Sequence, residues 1–193
     1  ESKEEPYTKV SFIPSYAALG YSNGYNEEIG QNLYKIIETR AYQAAAFVKC
    51  DVFFNKKKIN IDNFKQFVDL FKTEENQIYQ TVLAHPNKEL NLEVCIGVSD
   101  GKFRQVSLLN GINVFMGGTH IKYIQNEIVE GIKKHVEKEL NKTKSAGKFN
   151  TNIITNNLFL FVMGCVINPE FGSQSKEKLT TPIDKFQEYK FKA

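Results

Sequence analysis

The residue pair with the clearest chemical potential is Gln174 and Lys176, separated only by Ser175 in a polar stretch near the C-terminal end. An ammonium on a long stem can supply charge where negative charge develops in phosphoryl transfer, and its grip is lost once the phosphate leaves. Taken in isolation, a Gln-x-Lys is simply a solvated surface lysine between polar neighbours. A second group is Lys142, Lys144 and Lys148, spaced through a small-residue loop. By themselves they read as a solvated basic loop after an amphipathic helix. A third is Asn110, Gly117, Gly118 and Thr119, suited to a tight turn opening into a helix, with Thr119 as its cap. Without a Walker-type lysine this turn is a structural device rather than a phosphate cradle. His120 reads as a capping or packing histidine, and Lys56, Lys57 and Lys58 as a charged hairpin tip.

Positioning such residues requires a set of elements that the sequence spells out by periodicity. Tyr7–Ile13 alternates like a strand and stops at Pro14. From Glu27 to Val48 apolar residues recur every three or four positions, as on an amphipathic helix. Cys50–Asn55 and Ile59–Ile61 read as a small hairpin, followed by a helix capped by Asp62 and carrying Phe64, Phe67, Val68 and Phe71. Strands are predicted at Ile78–Ala84, Leu90–Val98 and Phe103–Leu109, with a strong hairpin signal at Ser99-Asp100-Gly101 between the last two. A long helix follows Thr119, with Ile121, Ile124, Ile128, Ile132, Val136 and Leu140 on one stripe. Leu158–Ile167 is apolar throughout, as in a strand covered on both faces. This order predicts an α+β fold, a two-layer sandwich of one mixed β-sheet with helices on one face.

Composition narrows the function classes. The 193 residues are 41% hydrophobic and 24% charged, with a net charge of +3, which suits a packed domain with a mild basic balance. Cys50, Cys95 and Cys165 lack metal-ligand spacing and read as buried free thiols, so no metal site is predicted. No run is long and apolar enough for a membrane span. The charged start, Glu1–Glu5, lacks a methionine, from which we expect a piece of a longer chain.

Three stretches together resemble the transducer of type II DNA topoisomerases of the eukaryotic and large-DNA-virus kind. They are Thr8–Pro14 followed by Arg40-Ala41-Tyr42, then Val106–Asn113 with Gly117-Gly118-Thr119-His120, and finally Asn168–Leu179, which is similar to the family's "NPxFxSQTKExL" loop. Ser175 stands where threonine is usual, Gly172 replaces a more restricted residue, and Met116 occupies a position where many relatives carry lysine.

The resemblance implies a left-handed βαβ crossover and three segments: residues 1–14 as the last strand of a preceding ATP-binding domain, 15–181 as the transducer, and 182–193 as the start of a linker helix. It implies that Lys176 contacts the γ-phosphate as the catalytic residue and that Gln174 helps bind the nucleotide, while Lys142, Lys144 and Lys148 face DNA. ATP would be bound mainly by the upstream domain, with Mg2+ in the parent enzyme and none held by this segment. The implied partners are duplex DNA, the ATP-binding domain of the same chain and a second copy in a homodimer. The location would be a nucleus, or a viral replication site or virion for a viral source. Nothing resembles the ATP site itself or the DNA-cleaving tyrosine, so this segment alone is expected to be inactive. A non-catalytic nucleic-acid-binding domain of the same fold, or the transducer of another ATPase, stands as the alternative.

Overall fold

The computed structural model describes residues 6–73, 78–143 and 150–191. Contacts divide the chain into two units, Glu1–Thr39 and Arg40–Ala193. The division falls within helix α1 (Glu27–Phe47). In the first unit, Tyr7–Pro14 forms no strand, and Tyr7, Val10, Phe12 and Ile13 are exposed. A strand needs a partner for its backbone donors and acceptors, and none pairs with this stretch among the described residues. Asn26 opens α1, its Oδ1 accepting from the Ile29 N–H at 2.8 Å.

The second unit is built on a six-stranded mixed sheet. Its strands are β3 (Ile78–Ala84), β4 (Leu92–Val98), β5 (Arg104–Leu109), β6 (Ile112–Asn113), β7 (Leu158–Gly164) and β8 (Lys190–Phe191), in the order β6-β5-β7-β4-β3-β8. A separate hairpin joins β1 (Phe53–Phe54) to β2 (Lys57–Lys58). Its tip is Asn55-Lys56, both at positive φ (48° and 65°), so Lys57 and Lys58 lie in a strand rather than at the tip. The apolar run of β7 earns the central place: it lies antiparallel to β4 and parallel to β5.

That insertion overturns the hairpin expected at Ser99-Asp100-Gly101. The turn forms, with Gly101 at φ 86°, but β4 and β5 do not pair, because β7 lies between them. The local turn signal is satisfied by a connection that crosses over a strand inserted later in the chain.

Both faces of β7 are buried. Leu158, Leu160 and Val162 join a core with Ile121, Ile124 and Ile128 of helix α3 (Thr119–Thr143). Phe161 and Met163 join a second core with Ala45 and Ala46 of α1 and Phe64, Phe67 and Val68 of helix α2 (Phe64–Asp69). The fold is the expected α+β arrangement with a mixed sheet, but helices cover the second face as well, where the expectation placed them on one. The physical reason is the one already visible in β7, which has no polar face to give to water.

Smaller differences are local. Asn63 rather than Asp62 caps α2, its side chain accepting from the Gln66 N–H at 3.0 Å. A short helix α4 (Thr151–Asn156), opened by Asn150, precedes β7 and was not foreseen. A 3-10 turn at Ile183–Phe186 and strand β8 fold back onto β3, burying Phe186 and Tyr189 in the first core. Of the cysteines only Cys95 is buried; Cys50 is exposed and Cys165 half-buried. Among the described residues no helix is long and apolar enough to cross a membrane.

Candidate functional site: a loop and a turn at the end of two parallel strands

Parallel pairing of β5 with β7 sets Leu109 opposite Gly164, so both strands end at the same margin of the sheet. The segments that leave them are the two motif-bearing stretches, 110–120 and 165–179. Asn110 pins them together. Its N–H donates to Gly164 O at 2.9 Å, its Nδ2 to Val166 O at 2.9 Å, and its Oδ1 accepts from the Val166 N–H at 2.8 Å. Asn110 sits at φ 51° and Gly111 at φ 76°, a pair of left-handed residues that turns β5 back into β6. Asparagine tolerates that conformation better than other side-chain-bearing residues, and here it also supplies the bridge.

The loop after β7 folds as a narrow finger. Thr180 N–H donates to Glu170 O at 2.8 Å and Gly172 N–H to Lys178 O at 3.0 Å, while Glu170 N–H donates to Thr181 Oγ1 at 2.9 Å. At the tip, Lys176 N–H donates to Ser173 O at 3.1 Å, and the Ser173 and Ser175 hydroxyls are 2.8 Å apart. Lys176 itself adopts φ 58°, uncommon for a residue with a side chain. Gln174 and Lys176 are both exposed. The Lys176 ammonium lies 5.9 Å from the Phe171 ring centroid, within reach of a weak cation–π attraction. No carboxylate among the described residues pairs with it. Phe171, half-buried against the first core, was not singled out from the sequence, although its place five residues before the lysine is the available signal.

The finger lies along the turn that precedes α3. Met116 N–H donates to Glu177 O at 3.0 Å, Leu179 N–H to Gly117 O at 2.9 Å, and Thr119 N–H to Leu179 O at 3.2 Å. A family described as DNA gyrase B matches residues 63–187, which hold this turn and this finger. The chain belongs to that family, within the type IIA DNA topoisomerases.

Named relatives agree. DNA topoisomerase 2 of Meyerozyma guilliermondii is 34% identical across 96% of this chain, which covers 14% of that protein, and the Saccharomyces cerevisiae enzyme is 32% identical across 95% of the chain, 13% of its own length. The chain thus spans about one-seventh of the curated relatives it matches. Among solved structures, the ATPase region of Saccharomyces cerevisiae topoisomerase II superposes with a TM-score of 0.64 at 35% identity, over 77% of this chain and 36% of that one.

Within this topoisomerase segment the other candidate residues separate. Gly117 (φ 67°) and Gly118 (φ 140°) both sit at positive φ in the turn before α3, and Thr119 does not cap the helix. Thr119 is its first residue, and its buried Oγ1 has no hydrogen-bond partner. His120 is fully buried, with Nε2 2.6 Å from Ser107 Oγ on β5 and no partner for Nδ1. Burial pushes its pKa down from 6.5 to about 3, so it is a neutral packing histidine. Lys142 lies in the last turn of α3, about 35 Å along the helix from Thr119 at 1.5 Å per residue, and pairs with Glu139 at 2.7 Å. Lys144 and Lys148 fall outside the described residues. Lys58 pairs with Asp51 at 2.7 Å, across the hairpin mouth. Among the described residues no three His, Cys, Asp or Glu side chains gather as a metal would need.

Proposed function

We propose that this chain is the transducer segment of a type II DNA topoisomerase, coupling ATP binding and hydrolysis in an adjacent domain to DNA strand passage. The observation that carries the proposal is the Asn168–Leu179 finger, which presents Lys176 exposed, and unpaired by any carboxylate among the described residues, at the tip of a hydrogen-bonded loop. A lysine kept for surface solubility would not need a left-handed backbone and an anchored loop. A charge delivered to a phosphate on a neighbouring domain needs both, because position decides how much of the charge is felt.

The chemistry of the donor set fits the terminal phosphate of ATP and little more of it. Lys176 offers an ammonium and Gln174 an amide, while most of the nucleotide and its Mg2+ would be held by the adjacent ATP-binding domain. The nucleotide supplies the charge that develops on phosphoryl transfer. Lys176 stabilises that charge, Gln174 helps orient the terminal phosphate, and release of the phosphate frees the finger. The parent enzyme then acts as a homodimer on duplex DNA in the nucleus. Lys142, together with Lys144 and Lys148, would attract the captured duplex through its phosphates without reading sequence.

The test is ATP turnover of the full-length enzyme and its Lys176→Ala variant. Turnover should fall about 100-fold, with nucleotide still bound, as when one transition-state charge contact is removed. Unchanged turnover makes Lys176 a surface lysine and removes the site from the proposal.

A further inference from the structure

The finger's internal ladder gives it a shape but not a place. Its place comes from the turn before α3, through the bonds Met116 N–H to Glu177 O, Leu179 N–H to Gly117 O and Thr119 N–H to Leu179 O. These run alternately in the two directions, so residues 177–179 lie beside 116–119 as one short rung of sheet, with a parallel bridge between Gly118 and Leu179. Leu179 is fully buried and anchors the rung in the first core. Glu177 directly follows Lys176, so the bond to its carbonyl holds the residue whose Cα lies about 3.8 Å from the lysine Cα.

We infer that the Met116–Thr119 turn is the positioning element for Lys176 and that Gly118 is its critical residue, an inference that rests on the reading of Lys176 above. A Cβ on Gly118 would lie 2.1 Å from Leu179 O, 2.8 Å from Leu179 N and 2.9 Å from Leu179 C. These are backbone atoms and cannot rotate aside. The strand carrying them must move by about an ångström to reach ordinary contact, and the finger moves with it. A shift of that size in a charge contact made at the reacting phosphate costs about 10- to 100-fold in rate. The coupling also runs outward. Thr119, bonded to Leu179 O, is the first residue of α3, so a finger held by the triphosphate and one released from it pull differently on the start of a 25-residue helix.

The experiment compares Gly118→Ala, Lys176→Ala, the double variant and Gly101→Ala in the full-length enzyme. Gly101 has φ 86° with nothing within 4 Å of its would-be Cβ, so its alanine carries a backbone penalty without moving the finger. Gly118→Ala should lower kcat for ATP about 10- to 100-fold while KM stays within about threefold. Gly101→Ala should keep the wild-type kcat. The double variant should be no slower than Lys176→Ala alone, because the turn acts through the lysine.

A slow Lys176→Ala beside a Gly118→Ala enzyme of normal kcat overturns this inference and leaves the lysine reading standing. A silent Lys176→Ala overturns both. Should Gly118→Ala fail to fold, hydrogen exchange on the wild-type enzyme decides. A non-hydrolysable ATP analogue should increase protection of peptides covering Met116–Thr119 and Glu177–Leu179, and Lys176→Ala should abolish the increase. No increase in the wild type overturns the inference.

Discussion

Replacing His120 by glutamine should flatten the acid sensitivity of this chain. In the fold the imidazole is fully buried, touches Ser107 Oγ through Nε2, and stays neutral because burial lowers its pKa from 6.5 to about 3. In the unfolded chain the ring is in water and takes up its proton near pH 6.5. Between those values the unfolded state binds a proton that the folded state refuses. Stability is therefore intact above the unfolded pKa and falls as pH drops below it, with a slope approaching 1.36 kcal/mol per pH unit at about 25 °C. From pH 7 to pH 5 this group alone removes about 2 kcal/mol, or about 4–8 °C in Tm for a domain of this size. His120→Gln keeps a hydrogen-bonding group beside Ser107 and cannot titrate. Urea unfolding of both proteins at pH 7 and pH 5 isolates the effect, since every other group is common to both. Wild type should lose about 2 kcal/mol more than the variant over that interval. Equal losses would mean that the ring is charged or wet in the fold, and the packing role assigned to it would go.

Phe161→Ala empties a fully buried site at the centre of β7 and should cost about 3–5 kcal/mol in urea unfolding at pH 7. Asn110→Ala removes the side-chain pair of bonds to Val166 and puts a Cβ-bearing residue without a polar tip at φ 51°, for a loss of about 2–3 kcal/mol. Asn110→Gly should recover only the backbone part of that loss. Cys50, exposed, should react with a thiol reagent in the native protein, whereas Cys95, buried and with its pKa pushed up to about 11, should react only on unfolding. Mass-spectrometric mapping of the labelled peptide checks that order.

The regular elements were legible because each carries its own period. The stripe Ile121, Ile124, Ile128 gave α3 and the unbroken apolar run gave β7, down to its burial on both sides. What failed was pairing. Ser99-Asp100-Gly101 has the composition of a hairpin turn, and local composition cannot announce that a strand 55 residues later will enter between its arms. Thr119 failed for a related reason: a threonine before an apolar stripe is a good cap by type. Here Gly117 and Gly118 bring the chain to the helix with its first N–H already bonded to Leu179 O. Asn63 for Asp62 is a one-residue slip between two residues of equal capping ability. The exposed Tyr7–Ile13 stretch has strand periodicity with no partner strand among the described residues, and periodicity reports a face to be buried, not what buries it.

The meeting of the turn and the finger depends on the direction of one pairing. Residues 110–118 and 165–179 are about 55 positions apart in the chain, and only a parallel β5–β7 pair in the register Leu109 opposite Gly164 releases both at one margin of the sheet. Antiparallel pairing of the same two strands would place the finger at the opposite end, roughly 20 Å away for strands of six or seven residues. The crossover through α3 and α4 is what permits the parallel direction, since parallel neighbours require a long connection. Asn110 then holds the register at the point where it matters, by bonding Val166 on the far side of the pair. A one-residue slip would break those bonds, turn the faces of β7 over, and move Leu179 off Gly118. The same register thus builds both cores and aligns the finger. If Lys176 acts as proposed, weakening β7 should disturb its presentation before the domain unfolds, read in the full-length enzyme as a loss of ATP turnover at temperatures where the far-ultraviolet circular dichroism is still native.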